Sequence, residues 1–199
     1  IDRSLVGSEM CIRDRLHIFI CLLIYHSTIS QEKYFQQKVD TYIDVELDDK
    51  KHFLYGSEKI VYTNNSNQNL DSILIHLWPN AYQNIDTELG KQKIEDGQLY
   101  IKYAPNYTRG YIDSLEFKVN SKPVKWKLSD KHIDIAILSL NNSLKKGDSI
   151  EVTTPFRVKI PSGRFSRLGH IGQSYQITQW FPKPAVYDVD GWHPLPYLN

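Results

Sequence analysis

Hydrophobic and polar side chains alternate along two long stretches near the start of the chain's body. Residues 39–47 and 53–63 both have the period of two that is typical of a β-strand with one buried face. In the first stretch the side chains predicted to share that face are Val39, Thr41, Ile43, Val45 and Leu47. Gly56 in the second stretch indicates a bulge or bend. The Asn-rich residues 64–69 that follow predict a turn, because Asn tolerates positive φ.

The rest of the body continues this β pattern with one interruption. Residues 72–78 are almost continuously apolar and predict a strand that is buried on both faces. A polar stretch then carries few apolar anchors and predicts a short helix, or else an ordered loop, near residues 83–95. Alternation returns in four further segments, at residues 111–119, 124–128, 132–138 and 149–158. About seven strands with one helical excursion predict a mainly antiparallel all-β domain of the β-sandwich or saddle type.

Residues 1–30 differ in character from this body. The apolar run at residues 16–25 follows Arg13 and Arg15 and precedes small polar residues, which is the layout of a secretory signal peptide. The run has only about ten residues, where a membrane span needs about 20, so no stable transmembrane anchor is expected. We therefore expect the protein to be exported, to the periplasm or the cell exterior.

Two alternatives and one anomaly concern the same region. The apolar run would also suit a buried N-terminal strand or helix. A lipid anchor at Cys21 is disfavoured because the bulky Ile20 precedes it. Residues 5–15 (LVGSEMCIRDR) resemble translated sequencing-adaptor read-through rather than evolved protein. We expect the fold to be confined to residues 31–199.

The composition of the chain limits the classes of partner and site that we expect for it. The chain has 199 residues, of which 41% are hydrophobic and 24% charged, enough for one domain with a core. Its net charge of +1 gives no basic field for nucleic acid, so no nucleic-acid partner is expected. The two cysteines, Cys11 and Cys21, both precede the body, which therefore has neither a disulfide framework nor a thiolate metal site.

Motifs of catalysis are missing from the sequence. It contains no H-E-x-x-H zinc motif, no G-x-S-x-G nucleophile elbow and no Gly-rich phosphate loop. His76 lies in an apolar strand, where a hydrogen-bonded core histidine is a better interpretation than a metal ligand. The spacing of His170, Asp188, Asp190 and His193 matches no metal site. Residues 188–191 (DVDG) look like the front of a calcium loop, but a turn is the better interpretation because the later Glu is missing.

The last 27 residues, 173–199, form a tail that is crowded with aromatic, proline and amide side chains. Its four prolines disfavour regular ladders and fix extended backbone. The aromatic residues are Trp180, Phe181, Tyr187, Trp192 and Tyr197, and the polar ones include Gln176, Gln179, Asp188 and Asp190. This composition suits a recognition surface. It equally suits a segment that packs on the core or at a seam between domains.

Three stretches resemble a known family. QITQWFPKPAVYD at residues 176–188 and GWHP at residues 191–194 are similar to the N-terminal domain of gluzincin zinc aminopeptidases, the membrane-alanyl-aminopeptidase family (peptidase family M-one), especially its exported members in Bacteroidetes-like bacteria. YGSEKIVYTNNS at residues 55–66 and IHLWPNAY at residues 75–82 agree with the same family. The resemblance covers roughly residues 38–199.

The resemblance implies a fold and a role. Residues 31–199 would be an incomplete N-terminal β domain that packs on a thermolysin-like catalytic domain of the same polypeptide. That missing domain would carry the zinc ion and H-E-x-x-H, so this chain, without a cofactor of its own, is expected to be inactive alone. Gln176 or Gln179 would hold the free N-terminus of a peptide substrate, and Trp180 would shape the first side-chain pocket. The family's loop here is longer and often carries a Glu, which this sequence lacks.

The resemblance also yields an expectation and leaves an alternative. If the tail packs against the catalytic domain, residues 180–192 should be solvent-exposed in this chain. The alternative is a secreted β-sandwich binding module for carbohydrate or protein, which would use exposed aromatic faces for recognition.

Overall fold

Antiparallel β-structure dominates residues 34–199, the part of the chain that this computed structural model describes. The strands are β1 Lys38–Asp48, β2 Phe53–Thr63, β3 Leu70–His76, β4 Tyr111–Asp113, β5 Lys118–Val119, β6 Lys122–Pro123, β7 Lys125–Leu128, β8 Ile135–Leu144, β9 Ser149–Lys159, β10 Gly169–Ile171, β11 Ser174–Gln176, β12 Lys183–Pro184, β13 Val186–Asp188 and β14 Gly191–His193. The helices are α1 Glu88–Glu95 and α2 Tyr100–Tyr103, with 3-10 turns at Trp78–Tyr82 and Asn106–Thr108. The predicted all-β class is confirmed, and α1 lies where the helical excursion was expected.

Two larger sheets share one hydrophobic core. The first has the order β1-β2-β9-β5-β6, with β4 also paired to β9, and the second has the order β12-β3-β8-β7. Alternate side chains of β2, β3, β8 and β9 are buried and meet in a single cluster. The apolar period of two in these segments is therefore explained by packing of one sheet on the other.

The predicted buried face of β1 is wrong in detail. β1 pairs with β2 along its whole length, and Val39, Val45 and Leu47 lie on the same side of the sheet as the core. These side chains are nevertheless exposed, Val45 by 47%, while Ile43 is half-buried against the core. Because β1 is the outermost strand of its sheet among the described residues, no facing layer covers it.

The bulge predicted at Gly56 is also wrong. The pairing of β2 with β1 and β9 runs without a register shift through this residue. A Cβ atom there would lie 2.5 Å from the ring of Phe156 and 2.8 Å from the carbonyl oxygen of Asp44. Glycine is required because an aromatic ring lies directly on the backbone, not because the strand bends.

Several strand boundaries differ from the prediction. The segment 111–119 is broken into β4 and β5, and β8 extends to Leu144, past its predicted end. Strand β3 ends at His76, and the residues that follow form a 3-10 turn. The proline-rich tail does form short ladders, because Pro184 sits in the edge strand β12 opposite Ile75, where its missing N–H is tolerated.

The N-terminal predictions lie outside the described residues. This applies to the signal peptide, the lipid anchor and the adaptor-like string, and to both cysteines. Within residues 34–199, no helix is long and apolar enough to traverse a bilayer.

Candidate functional site

The tail joins two hydrophobic clusters. The second cluster lies beside the helices and comprises Ala81, Tyr82, Leu89, Ile101, Ala104, Phe165, Leu168 and Tyr197. Ile177 and Trp180 pack against both this cluster and the core between the sheets. The Trp180 ring lies 5.9 Å from the ring of Phe156, centroid to centroid. The tail is thereby fixed on the domain's own apolar surface.

The expected exposure of residues 180–192 is not met for the aromatic side chains. Trp180, Phe181, Tyr187 and Trp192 are each half-buried and pack against the core. Aliphatic tail residues are exposed instead, with Val186 exposed by 62%. Of the two interpretations that the composition allowed, packing on the core describes the aromatic faces better.

Gln179, one of the predicted substrate-binding residues, is held by its neighbours. Its Oε1 accepts a hydrogen bond of 2.5 Å from Lys183 Nζ, and Lys183 Nζ also lies 3.6 Å from the ring centroid of Trp78. The Gln179 backbone has φ +55°, a left-handed conformation that costs on the order of 1 kcal/mol in a residue other than glycine. Such strain persists only where surrounding contacts hold it.

Burial lowers the pKa values of two paired side chains, His76 in β3 and Lys183 in β12. His76 pairs with Lys183 across β3 and β12, is only 6% exposed, and its ring stacks on Trp78 at 4.7 Å. Neither ring nitrogen of His76 has a hydrogen-bond partner among the described residues, so the expectation of a hydrogen-bonded core histidine is only half met. Burial, and then the nearby Lys183 charge, lower the pKa of His76 to about 4. Burial also lowers the pKa of Lys183.

Lys183 would compete with the ammonium group of a peptide for the side-chain oxygen of Gln179. An ammonium donates hydrogen bonds and accepts none, so Oε1 is the atom it would seek, and Lys183 already occupies that atom. Two positive charges about 5 Å apart repel by roughly 3 kcal/mol at an effective dielectric constant of about 20. The geometry therefore makes Gln179 a poor acceptor for a second ammonium while Lys183 is charged.

Gln176 lies in a different setting. It ends β11 and is exposed. Its hairpin is fastened to the β1–β2 turn, because the rings of His52 and His170 stack at 3.6 Å and Tyr175 Oη donates to the Asp49 carbonyl oxygen at 3.0 Å. The side chain of Gln176 is thus presented on a hairpin that long-range contacts hold in place.

The other polar candidates form no metal site. His193 Nε2 lies 2.7 Å from Asp188 Oδ1, and the same oxygen accepts from the Asp190 N–H, which gives the turn that was expected at residues 188–191. His170 is instead stacked on His52. In residues 34–199 no three His, Cys, Asp or Glu side chains converge on a common point, so this part of the chain does not fit a zinc ion.

Lys183 and Trp78 were missed by sequence reasoning. A signal for Lys183 existed, because Pro184 forces the residue before it into extended backbone and so favours a strand position. Nothing in the sequence indicated that Trp78, more than a hundred positions earlier, would lie against it.

Acid should destabilise the fold through His76. Its folded-state pKa of about 4 lies below the ordinary 6.5, so the unfolded chain binds the proton first as the pH falls. Stability is then lost between pH 6.5 and 4, by roughly 3 kcal/mol from this group. Urea denaturation of the wild type and His76→Phe at several pH values should show a gap that widens in the phenylalanine variant's favour on acidification. Parallel curves would contradict the assignment.

Comparisons with known proteins give a limited likeness. No protein-family model and no curated protein matches the chain. An M1 zinc metallopeptidase variant from Deinococcus radiodurans, bound to a Tyr-Ser-Ala substrate, is 12% identical over 65% of this chain and 21% of its own, with a TM-score of 0.37. The M1 zinc metallopeptidase from the same organism and a two-domain variant bound to L-tryptophan have the same identity and coverage, with TM-scores of 0.36. The chain spans about a fifth of the length of these structures, 21%, and the similarity concerns the course of the backbone alone.

Proposed function

We propose that this chain is the non-catalytic N-terminal portion of an exported zinc-dependent aminopeptidase. Its role would be to pack against the catalytic domain of the same polypeptide and to contact the peptide substrate. The catalytic domain, with its zinc ion, would remove N-terminal residues from peptides. The contribution that we propose for residues 34–199 is binding and positioning.

One observation carries this proposal. The string that resembles the aminopeptidase family, residues 176–194, is the segment that bridges the two hydrophobic clusters. It places Gln179 in a strained backbone conformation beside Lys183 and Trp78. Strained backbone and partly buried polar groups are typical of functional sites. The alternative binding module would need flat exposed aromatic faces, whereas the tail aromatics pack inwards.

Expression of the gene with and without its continuation tests the proposal. The coding sequence should continue past Asn199 into an H-E-x-x-H motif followed by a later Glu. The 199-residue chain should release no amino acid from an aminoacyl-p-nitroanilide, whereas the extended protein should hydrolyse it and lose that activity to a zinc chelator. A long open reading frame without H-E-x-x-H would sink the proposal.

A further inference from the structure

Lys183 fixes the direction of the Gln179 carboxamide. The Nζ atom donates to Oε1 at 2.5 Å, and a protonated lysine has three donors and no acceptor. The carboxamide must therefore turn its oxygen towards Lys183. Its other end, the Nε2 amino group, then points away from Lys183 and makes no hydrogen bond to any of residues 34–199.

Trp78, which is itself fixed by a hydrogen bond, holds Lys183 in place beside Gln179. Trp78 lies under the Lys183 ammonium at 3.6 Å, a contact that favours the charged form of lysine. Trp78 is itself fixed, because its Nε1 donates to the Leu195 carbonyl oxygen at 3.2 Å. Reversing the carboxamide would place its N–H₂ group against the ammonium, donor against donor. The orientation of Gln179 is thus set by three contacts that do not involve a ligand.

We propose that Gln179 offers its Nε2 amino group, next to the Lys183 charge, to an oxygen acceptor of the ligand, a carboxylate or a peptide carbonyl. This inference rests on the proposed function for the identity of the ligand as a peptide. It reverses the role that the family resemblance implied for Gln179, which was to accept from the substrate's ammonium. The exposed Gln176 then remains as the candidate for that ammonium.

The charge at this position favours the acceptor interpretation. Lys183 is the cation that borders Gln179, and His76 stays neutral near pH 7 because its pKa is lowered to about 4. An approaching carboxylate would gain a charge-assisted hydrogen-bonding environment, and a carbonyl would gain the same N–H donor without the charge. The competing explanation is that Lys183 and Gln179 form only an internal tie.

Nuclear magnetic resonance of the ¹⁵N-labelled chain separates these cases with three probes. N-acetyl-L-phenylalanine offers a carboxylate without an ammonium, N-acetyl-L-phenylalaninamide offers carbonyl acceptors without a carboxylate or an ammonium, and 2-phenylethylamine offers an ammonium without a carbonyl. The side-chain N–H₂ signals of Gln179 and the indole N–H signal of Trp78 should shift saturably with the first probe. They should shift more weakly with the second probe and not at all with the third.

Gln179→Glu is the decisive variant, because it replaces the N–H₂ group by an oxygen at nearly constant shape. Binding of N-acetyl-L-phenylalanine should weaken at least tenfold, followed at the Trp78 indole signal. Gln68→Glu, in the distant β2–β3 turn, makes the same change of charge and should leave that binding unaltered. Dispersed amide spectra would establish that both variants are folded.

Two outcomes would overturn the inference. One is saturable binding of 2-phenylethylamine to the wild type at least as tight as that of N-acetyl-L-phenylalanine, since the site would then take up an ammonium rather than donate to an oxygen. The other is the absence of any shift with all three probes, which would leave the pair as an internal tie. Neither outcome bears on whether the gene encodes H-E-x-x-H, so the proposed function is tested separately.

Discussion

Replacing Asn64 with leucine is expected to remove about 3–5 kcal/mol from the free energy of unfolding, because several buried polar groups lose their partners together. Asn64 is fully buried, with 0% of its surface exposed. Its Nδ2 donates to the carbonyl oxygens of Gln68 and Leu144 at 2.7 and 2.9 Å. Its Oδ1 accepts from the Ser66 N–H at 3.0 Å and from Ser66 Oγ at 2.7 Å.

The position of these bonds explains the size of the effect. The backbone of Asn64 also bonds the turn after β8, since Asn64 N donates to the Asp148 oxygen and Gly147 N donates to the Asn64 oxygen. The backbone and the side chain of this one residue together tie the β2–β3 turn to the end of β8 and to the turn after it. Leucine fills a similar volume but removes the side-chain partner of the Leu144 carbonyl and of the Ser66 N–H, and it leaves the Gln68 carbonyl with Ser66 Oγ alone. Each group that loses its partner where water cannot reach costs about 1–3 kcal/mol.

Two further variants separate the effect of the lost hydrogen bonds from the effect of a changed side-chain shape. Asn64→Asp keeps the outline but cannot donate to the two carbonyl oxygens, so it should lose at least as much stability as the leucine variant. Asn65→Ala, at an exposed neighbour whose Nδ2 donates only to the Gln36 carbonyl, should cost less than about 1 kcal/mol. Urea denaturation with a common m-value gives the comparison. A change within about 1 kcal/mol for both Asn64 variants would refute the role assigned here.

The same turn shows what the sequence could predict. The Asn-rich stretch indicated a turn correctly, but none of residues 64–69 has the positive φ that Asn tolerates, and local side-chain hydrogen bonds form the turn instead. It did not indicate which Asn would be buried, since that depends on Leu144, which lies 80 positions away. Local chemistry thus predicts the kind of structure, and long-range pairing decides which residue is essential.

Strand β1 likewise shows that a local pattern predicts the element but not its burial. Its alternation correctly predicted a strand, yet Val39, Val45 and Leu47 remain exposed. Alternation reports which side chains share a face, whereas burial of that face depends on whether another sheet lies over it. The position of β1 at the edge of the sheet is a property of the topology and has no local signal.

The role of the candidate site residues stays a prediction, and the sequence did not indicate how their side chains are oriented. Gln176, Gln179 and Trp180 were chosen from the composition and family resemblance of the tail, and the structure places them on one ordered segment. The orientation of Gln179 depends on Lys183 and on Trp78, which meet only after β12 pairs with β3. Contacts of this range are set by strand pairing, which a single sequence does not specify.

Alkaline conditions are expected to weaken this fold through one buried carboxyl group, that of Glu58. The side chain lies on the core side of β2, between the paired residues Ile43 and Thr154, and is only 3% exposed. Neither carboxyl oxygen has a hydrogen-bond partner among residues 34–199. Burial raises the pKa of Glu58 from 4.5 to about 8, so the folded protein holds this proton at neutral pH.

The sign of the pH dependence follows from proton linkage. Between pH 4.5 and 8 the folded state keeps the proton and the unfolded chain releases it, so the unfolded state binds fewer protons and stability falls as the pH rises. The contribution is fully present below pH 4.5 and is lost once the pH has passed 8. This group should account for roughly 5 kcal/mol across that window.

Glu58→Gln removes the titration and keeps the shape, so its advantage over the wild type should grow with pH. Near pH 5 both proteins bury a neutral, unpaired polar group and should differ by less than about 1 kcal/mol. Near pH 9 the wild type must bury a carboxylate or unfold, and the variant should be more stable by roughly 3 kcal/mol or more. Urea denaturation midpoints at intervals between these pH values give the curve, with the exposed Glu46→Gln as the control for loss of one negative charge. If the gap between wild type and Glu58→Gln stays constant with pH, Glu58 is ionised in the fold, and an unseen donor or cation must be compensating its charge.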